Sequence, residues 1–292
     1  MMLVNKVTII LISYYSYKKI YSFLKKISLK VPVIILENSN DKNIKRLKKR
    51  FKNVKLYYKK NNGYGASINY ASKMIKTKYF FVVQPDVTGI NAKSIKIFIK
   101  YAEKLKDNFS VIGPRFSNAS KKGHYQTNFN FKIKKIHNVH GSALFFNLKN
   151  FKLLKGFDSN FFLYWEETDF TKRSWQKKIP VYQLNLVKVK HEKGLSVETK
   201  NSFEKINIKY LYIWHFIWSK YYFHKKHYGI LISFIYFIPI FLRCLIKIVF
   251  YKLTHEKNEY DKYYVRLNGL INSFRGRKSY FRIKNIEKLR SI

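Results

Sequence analysis

The first ninety residues alternate short apolar runs with stretches in which apolar residues recur every three or four positions. The runs, rich in β-branched and aromatic residues, are too short for helices and predict strands buried on both faces, at residues 7–12, 33–36, 54–58 and 79–83. The segments between them predict helices at about 16–29, 41–51 and 66–75. This order predicts an α/β fold with a mostly parallel sheet flanked by helices.

The alternation continues to about residue 191. Helices are expected at 95–105, 148–154 and about 166–177, and strands at 143–147 and 181–190. A polar, basic stretch at 117–138 interrupts this pattern and predicts a mobile segment.

From about residue 203 the pattern changes to that of long apolar helices. Residues 229–242 carry no charge, but they include Pro239 and are followed by Arg243 and Lys247. A helix that spans a bilayer needs about 20 apolar residues, so this run is short for a span. Flanking lysines and tryptophans favour a helix in the membrane interface, with a single span or a packed helical appendage as alternatives. We therefore divide the chain into residues 1–203 and 204–292.

Composition narrows the classes of protein that fit this pattern. With 47% hydrophobic and 18% aromatic residues the chain is not a disordered one. Its single cysteine, Cys244, excludes a disulfide scaffold and indicates a reducing compartment, and the first apolar run is too short for a secretory signal.

The net charge of +43 suggests an acidic polymer as partner, but its distribution argues against nucleic acid. The charge is spread over both halves of the chain, and most of it comes from lysine rather than from arginine, which recognises bases and phosphates better. Nucleic acid is therefore not expected as a partner.

Acidic residues are rare, at 16 against 59 basic ones, so their positions are informative. Glu37 and Asp86 follow predicted strands, as does Ser13, and ligands of parallel sheets bind at the carboxyl ends of strands. Glu166, Glu167 and Asp169 form a cluster at the start of a predicted helix. The first strand lacks a Gly-x-Gly-x-x-Gly turn, which disfavours a dinucleotide fold.

Six segments in this order resemble the inverting glycosyltransferases of family 2, which have the GT-A (Rossmann-like nucleotide-diphospho-sugar transferase) fold. The resemblance covers about residues 5–229 and is strongest to the bacterial rhamnosyltransferase-like branch. The matching segments are the strand at 7–14, Leu36-Glu37-Asn38-Ser39, the stretch from Asn61 to Asn69 with Asn62, Gly63 and Gly65, Gln84-Pro85-Asp86, Gly156-Phe157-Asp158 with Glu166 to Asp169, and His191 with Gly194 and Ser196.

The resemblance implies a role for each segment. The nucleotide-sugar would be bound by Ser13, Glu37, Asn62, Gly63, Gly65, Asn69, Gln84 and Asp86. Mg²⁺ or Mn²⁺ would be held by Asp86, with His191 as a further ligand. Glu167 aligns with the base that takes the proton of the acceptor hydroxyl, and Glu166 and Asp169 are the alternatives.

Four positions depart from the family's pattern, one of which is Tyr15, where the family often has asparagine. Glu37 and Glu167 stand where the family usually has aspartate, and Gln84 replaces the first carboxylate of the Asp-x-Asp metal motif.

The implied activity is an inverting transfer of rhamnose or a related deoxysugar, from dTDP-rhamnose, to a lipid-linked surface-polysaccharide acceptor. Residues 1–203 would form the catalytic domain, and residues 204–292 a helical membrane-associating region. The protein would be cytoplasmic and peripherally bound to the inner face of the cell membrane, or anchored there by a single span. The alternatives are another donor, such as UDP-galactofuranose or a UDP-hexose, and a non-catalytic basic membrane- or nucleic-acid-binding module with a degenerate transferase fold.

Overall fold

The chain folds into two compact units. One comprises Met1–Asp158 and Glu166–Glu198, and the other comprises Ser159–Trp165 and Thr199–Ile292. The computed structural model describes residues 6–27, 31–118, 131–192, 197 and 202–282. The chain therefore enters the second unit briefly, at Ser159–Trp165, before it returns to the first.

The first unit contains the sheet. Its described strands are β1 (Val7–Ser13), β2 (Val33–Glu37), β3 (Val54–Tyr58), β4 (Tyr79–Val83), β5 (Val87–Thr88), β6 (Val111–Phe116), β7 (Ile133–Lys135), β8 (Ala143–Asn147) and β9 (Val181–His191). Its described α-helices are α1 (Tyr17–Lys26), α2 (Lys45–Arg50), α3 (Tyr64–Ser72), α4 (Ala92–Lys104), α5 (Leu148–Leu153) and α6 (Glu166–Gln176).

The described strands form one sheet in the order β3-β2-β1-β4-β8-β6-β9-β5, with β7 paired to β9. The predicted α/β fold is confirmed, and strands β1 to β4 are parallel as expected. Beyond β4 the sheet is mixed, because β8 runs antiparallel to both of its neighbours. The parallel part brings the ends of β1, β2, β3 and β4 to one edge of the sheet.

Helices cover both faces of the sheet. Alternate strand residues contribute to two separate apolar clusters, one containing Phe81 and Phe145 and the other Phe80 and Phe146. Helices α1, α2 and α4 pack in the first cluster, and α3, α5 and α6 in the second. A sheet buried on both faces explains why its strands are continuous apolar runs.

Three strands, β5, β6 and β7, occupy places where no strand was predicted. Strand β6 contains Gly113, Pro114 and Arg115, which break the apolar run that sequence patterns rely on. The predicted mobile segment at 117–138 contains β7, while residues 119–130 lie outside the described part of the chain.

The second unit contains three long helices, α7 (Ser202–Tyr228), α8 (Ile230–Leu253) and α9 (Lys257–Phe274). Trp214 of α7 is fully buried, and its indole Nε1 donates to Asn268 Oδ1 of α9 at 2.9 Å. Gly269 allows the close approach of these helices, because a Cβ there would lie 2.8 Å from the carbonyl oxygen of Trp214. Segment Ser159–Trp165 packs on α7, where the Phe162 ring contacts the His215 ring.

Helix α8 is longer than the uncharged run predicted, since it continues through Pro239, Arg243 and Lys247. Among the described residues, it is the helix whose length and mean hydropathy of 2.1 would suffice to cross a bilayer. Only 17% of its most apolar window is buried, unlike the core helix of a soluble domain. An apolar surface therefore remains along this helix.

Candidate functional site

The ends of β1 and β2 place two predicted binding residues side by side. Ser13 and Glu37 are partners in the parallel register, and both are buried. Glu37 Oε1 accepts hydrogen bonds from the Ser39 backbone N–H at 2.6 Å and from the Ser39 hydroxyl. Glu37 Oε2 and Ser13 Oγ are buried without a hydrogen-bond partner. One carboxylate oxygen thus orders the turn, while the other remains for a ligand.

The glycine-rich turn after β3 begins helix α3. Gly63 has φ 107°, which favours glycine, and Asn61 Oδ1 accepts from its N–H at 3.1 Å. Gly65 lies close to Phe157, since a Cβ there would be 3.0 Å from that residue's Cβ. Asn62 is exposed. Gly63 therefore permits the tight turn, and Gly65 permits the close approach of Phe157.

Asn69 has a positioning role that its motif did not reveal. Its Nδ2 donates to the Phe157 carbonyl at 2.7 Å, and its Oδ1 accepts from the Phe157 N–H at 2.9 Å. The same Oδ1 would lie 2.5 Å from a Cβ at Gly156, whose φ is +64°. Asn69 therefore holds the Gly156-Phe157-Asp158 turn against α3.

Asp86 follows β4 and is the most unusual carboxylate of the sheet edge. Its side chain is fully buried, and neither carboxylate oxygen has a hydrogen-bond partner. His191, at the end of β9, brings its Nε2 to 3.3 Å from Asp86 Oδ2. Asp86 and His191 lie close together because strand β5, which begins directly after Asp86, pairs with β9 so that Val87 is opposite His191.

Gln84 and Tyr64 lie near this carboxylate. The Gln84 N–H donates to the Ser142 carbonyl at 2.8 Å, which fixes the turn between β4 and Asp86. The Tyr64 hydroxyl donates to the Gly141 carbonyl at 3.1 Å. Burial raises the pKa of Tyr64 well above 10, and the charges of Glu166, Glu167 and Asp86 raise it further. Tyr64 is therefore a neutral hydrogen-bonding group in this acidic region.

His140 is a site residue that the sequence analysis missed. Its ring stacks on Phe116 at 4.3 Å between centroids and meets the His191 ring edge-on at 5.1 Å. Its Nδ1 lies 2.7 Å from the Ser142 hydroxyl. The sequence feature that could have identified His140 is its position just before strand β8. The antiparallel pairing of β8 with β4, which brings His140 to the site, was not predicted.

The predicted acidic cluster forms the first turn of α6, where carboxylates also stabilise the helix dipole. Glu166 is buried with Oε2 unpartnered, and burial and the charge of Glu167 raise its pKa well above 4.5. Burial raises the pKa of Glu167 to about 7, although backbone N–H groups oppose the shift. Glu167 remains partly exposed and lies against Gly141, so it combines a near-neutral pKa with access.

Asp169 is engaged elsewhere. Its Oδ2 accepts from Arg173 Nε at 2.8 Å, one turn along α6, and its side chain is fully buried. The Arg173 guanidinium also donates to the carbonyls of Leu154 and Gly156. This pair anchors the turn after α5, so Arg173 has a structural role.

The residues around Asp86 fit a divalent cation that also binds phosphate. Among the described residues, no group of three or more His, Cys, Asp and Glu side chains could hold a metal. Asp86 and His191 would supply two ligands, and a magnesium-like ion bound through substrate phosphates needs only one or two from the protein. Buried, unpartnered carboxylate oxygens are the groups that such an ion would satisfy. Gly194 and Ser196, which were predicted next to His191, lie outside the described residues.

Solved structures share this fold at low sequence identity. S. aureus TarS residues 1–349 in complex with UDP-GlcNAc superposes with a TM-score of 0.55 and 15% identity, covering 95% of this chain and 93% of that one. GalNAc-T7 with UDP, GalNAc and Mn²⁺ gives a TM-score of 0.54 and 11% identity, covering 76% of this chain and 50% of that one.

Another structure of TarS gives a TM-score of 0.53 and 16% identity, and covers 77% of this chain. The chain spans only 44% of that longer TarS chain. No protein-family model matches the sequence, and no curated protein matches it at a significant level. The likeness to the solved structures shows that this chain has the GT-A fold of glycosyltransferases.

Proposed function

We propose that this protein is a metal-dependent, inverting glycosyltransferase that moves a sugar from a nucleotide-diphospho-sugar to an acceptor hydroxyl. Asp86 carries the proposal, because its carboxylate is fully buried without a hydrogen bond to either oxygen and lies 3.3 Å from His191 Nε2, a second metal-ligating group. Neighbours of the same fold that contain UDP-GlcNAc, or UDP with Mn²⁺, support a nucleotide-sugar donor and a divalent ion.

Donor binding would use the edge of the sheet formed by β1 to β4. Glu37 Oε2 and Ser13 Oγ, buried side by side, would pair with donors and acceptors of the nucleoside. Gly63 and Gly65 would allow the backbone to approach it, and Gln84 would orient the sugar-diphosphate next to Asp86. Asp86 and His191 would hold Mg²⁺ or Mn²⁺, whose charge would stabilise the leaving diphosphate.

The proton of the acceptor hydroxyl would be taken by Glu167. An acid with a pKa of about 7 is half ionised at neutral pH and accepts a proton as the hydroxyl attacks the anomeric carbon. Glu166 is more deeply buried, and burial and the charge of Glu167 raise its pKa well above 4.5, so that it would stay protonated beside the proposed base. Asp169 is the weakest of the three candidates, because its carboxylate is bound to Arg173.

The sequence resemblance and the structural neighbours support different donors. The sequence resemblance favours dTDP-rhamnose, whereas the neighbours with UDP-GlcNAc or UDP support a UDP-sugar. Both carry a pyrimidine nucleoside diphosphate, which the same pocket residues would hold. A panel of dTDP-rhamnose, UDP-galactofuranose and UDP-hexoses, assayed for hydrolysis, would separate them.

Peripheral binding to the inner face of the cytoplasmic membrane would bring a lipid-linked saccharide acceptor to the enzyme. The exposed apolar side chains of α8 include Leu231, Ile235 and Ile246, at 59–72% exposure. Lysines of α7 and the exposed Arg243 of α8 add positive charge that attracts anionic lipid. We accordingly propose residues 1–203 as the catalytic domain and residues 204–292 as the membrane-associating region.

The proposal is tested by calorimetric titration of UDP in the presence of Mn²⁺. Asp86→Asn should lose the metal-dependent part of UDP binding, and its donor turnover should fall by about 10²–10³-fold. Asp261→Asn, a matched change in helix α9, should behave as wild type. Two results together would favour the non-catalytic module instead: UDP binding that does not depend on metal and is unchanged in Asp86→Asn, and no turnover of any donor.

A further inference from the structure

The second unit contains a cavity that the proposed catalytic residues do not use. Its volume is about 270 Å³, close to the lower end of the ~300–1,000 Å³ range of small-molecule pockets. A cavity of this size accommodates one substituted sugar ring rather than an oligosaccharide. It is lined by Tyr164, Tyr212, Ile213, Phe216, Lys262 and Arg266.

One side of the cavity is aromatic. Tyr212 and Phe216 lie one turn apart on α7, so their rings project from the same face of the helix. The Tyr164 ring meets both of them edge-on, at 6.0 Å and 5.6 Å between centroids. Phe216 is 41% exposed, whereas Trp214 and Trp218 of the same helix are buried. An exposed ring at the mouth of a cavity is a surface on which the C–H face of a sugar can stack.

The other side of the cavity is cationic. Lys262 and Arg266 lie one turn apart on α9, where like charges repel. Lys262 Nζ is bound to Glu259 Oε2 at 2.7 Å. Arg266 Nε is buried and has no hydrogen-bond acceptor. A buried guanidinium N–H without an acceptor is the group that an anionic ligand would satisfy.

The chain connects this cavity to the acidic turn. Tyr164 and Trp165 have φ of 67° and 70°, a conformation that side chains other than glycine rarely adopt. Glu166 and Glu167 follow immediately. Strain at consecutive residues persists only where contacts hold it, and here the Tyr164 and Trp165 rings pack on Phe216. A ligand in the cavity would therefore touch the segment that leads directly into the proposed base.

We propose that this cavity binds a phosphate-bearing sugar, with the sugar ring on the aromatic side and the phosphate on Arg266 and Lys262. The inference rests on the proposed function, since only a transferase needs a second saccharide. Arginine matches phosphate through paired N–H donors, and the aromatic rings discriminate a sugar phosphate from phosphate alone.

The experiment is calorimetric titration of the full chain, without donor, using glucose 1-phosphate, methyl glucoside and inorganic phosphate. Wild type should bind glucose 1-phosphate at least tenfold more tightly than either partial ligand. Arg266→Gln should weaken this binding about tenfold or more, because a charge-assisted hydrogen bond is lost. Arg275→Gln, at the exposed end of the same helix, should bind as wild type does.

Two further variants test the proposal if Arg266→Gln does not fold. Lys262→Gln should weaken binding of glucose 1-phosphate, and Phe216→Ala should remove its advantage over inorganic phosphate. Equal affinities of Arg266→Gln and Arg275→Gln, or no binding by wild type, would overturn the proposed site. Equal affinities for phosphate and glucose 1-phosphate would reduce it to an anion site and overturn the sugar assignment. UDP titration with Mn²⁺ reports separately, so failure of the proposed donor site and failure of this cavity are distinguishable.

Discussion

Replacing Glu167 by glutamine should abolish transfer and at the same time stabilise the folded protein above neutral pH. Glutamine has nearly the same shape and keeps an oxygen for the backbone N–H groups of residues 167 and 168, which oppose the pKa shift in the wild type. It carries no charge to be desolvated. The substitution therefore removes the proposed base and the cost of ionising it together.

The magnitude follows from the pKa of Glu167, which burial raises from 4.5 to about 7. Between these values the unfolded chain releases a proton that the folded protein retains, so the free energy of unfolding falls as pH rises through this window. At 1.36 kcal/mol for each unit, the full loss is about 3 kcal/mol above pH 7. Glu167→Gln should thus gain about 3 kcal/mol over wild type at pH 8 and less than about 1 kcal/mol at pH 5.

Urea unfolding followed by circular dichroism at pH 5 and pH 8, with chelator present, measures this difference. The control is Glu103→Gln, which removes an exposed carboxylate paired with Lys6 and should cost about 0.5 kcal/mol or less. In thermal unfolding the gain at pH 8 corresponds to a rise in Tm of roughly 5–10 °C.

A gain that is the same at both pH values would refute the reasoning, because it would not come from ionisation. A loss of stability at pH 8 would mean that the Glu167 carboxylate is stabilised rather than strained in the folded protein. Retained transfer by a stabilised Glu167→Gln would assign the base to Glu166.

Three further predictions concern other parts of the molecule. Arg173→Ala should cost about 3–5 kcal/mol in urea unfolding, because it removes the ion pair of a fully buried carboxylate. The exposed Lys177→Ala should change stability by less than about 0.5 kcal/mol. Gly156→Ala and Gly276→Ala both place alanine at positive φ, which should lower stability by about 1–2 kcal/mol in each variant. The new Cβ would contact other residues only in Gly156→Ala. In thermal unfolding this variant should therefore lose at least about 1 kcal/mol more than Gly276→Ala. Leu231→Glu on α8 should weaken sedimentation with anionic vesicles about tenfold, whereas Leu153→Glu, equally exposed on α5, should leave it unchanged.

The parallel half of the sheet could be predicted because burial on both faces leaves a direct mark on the sequence. Strand β4, for example, is five consecutive apolar residues, all buried. Strand β6 left no such mark, since Pro114 and Arg115 sit at an irregularity in its pairing with β9. Helix α8 extended past the expected limit because Pro239 is exposed within it and does not end it.

The candidate site divides in a similar way. Its candidate carboxylates could be identified from the sequence because acids are rare in this chain and stand either at strand ends or together in the first turn of one helix. The partners of those residues could not, since they depend on contacts between distant segments. Arg173 binds carbonyls 17 and 19 residues earlier, and Asn69 binds a residue 88 positions later. His140 lies beside His191 only because β8 is inserted between β4 and β6.

The excursion of Ser159–Trp165 into the second unit has a consequence for the order of synthesis. Phe162 packs on His215 and lies beneath the Arg282 guanidinium at 3.6 Å, and Phe161 packs on Tyr222. All three partners leave the ribosome well after the acidic turn that follows this segment. The complete set of these contacts therefore cannot form until the chain through residue 282 has left the ribosome. Until then Phe162 lacks its contact with Arg282, and the segment that leads into Glu166 and Glu167 is held by fewer of its packing partners.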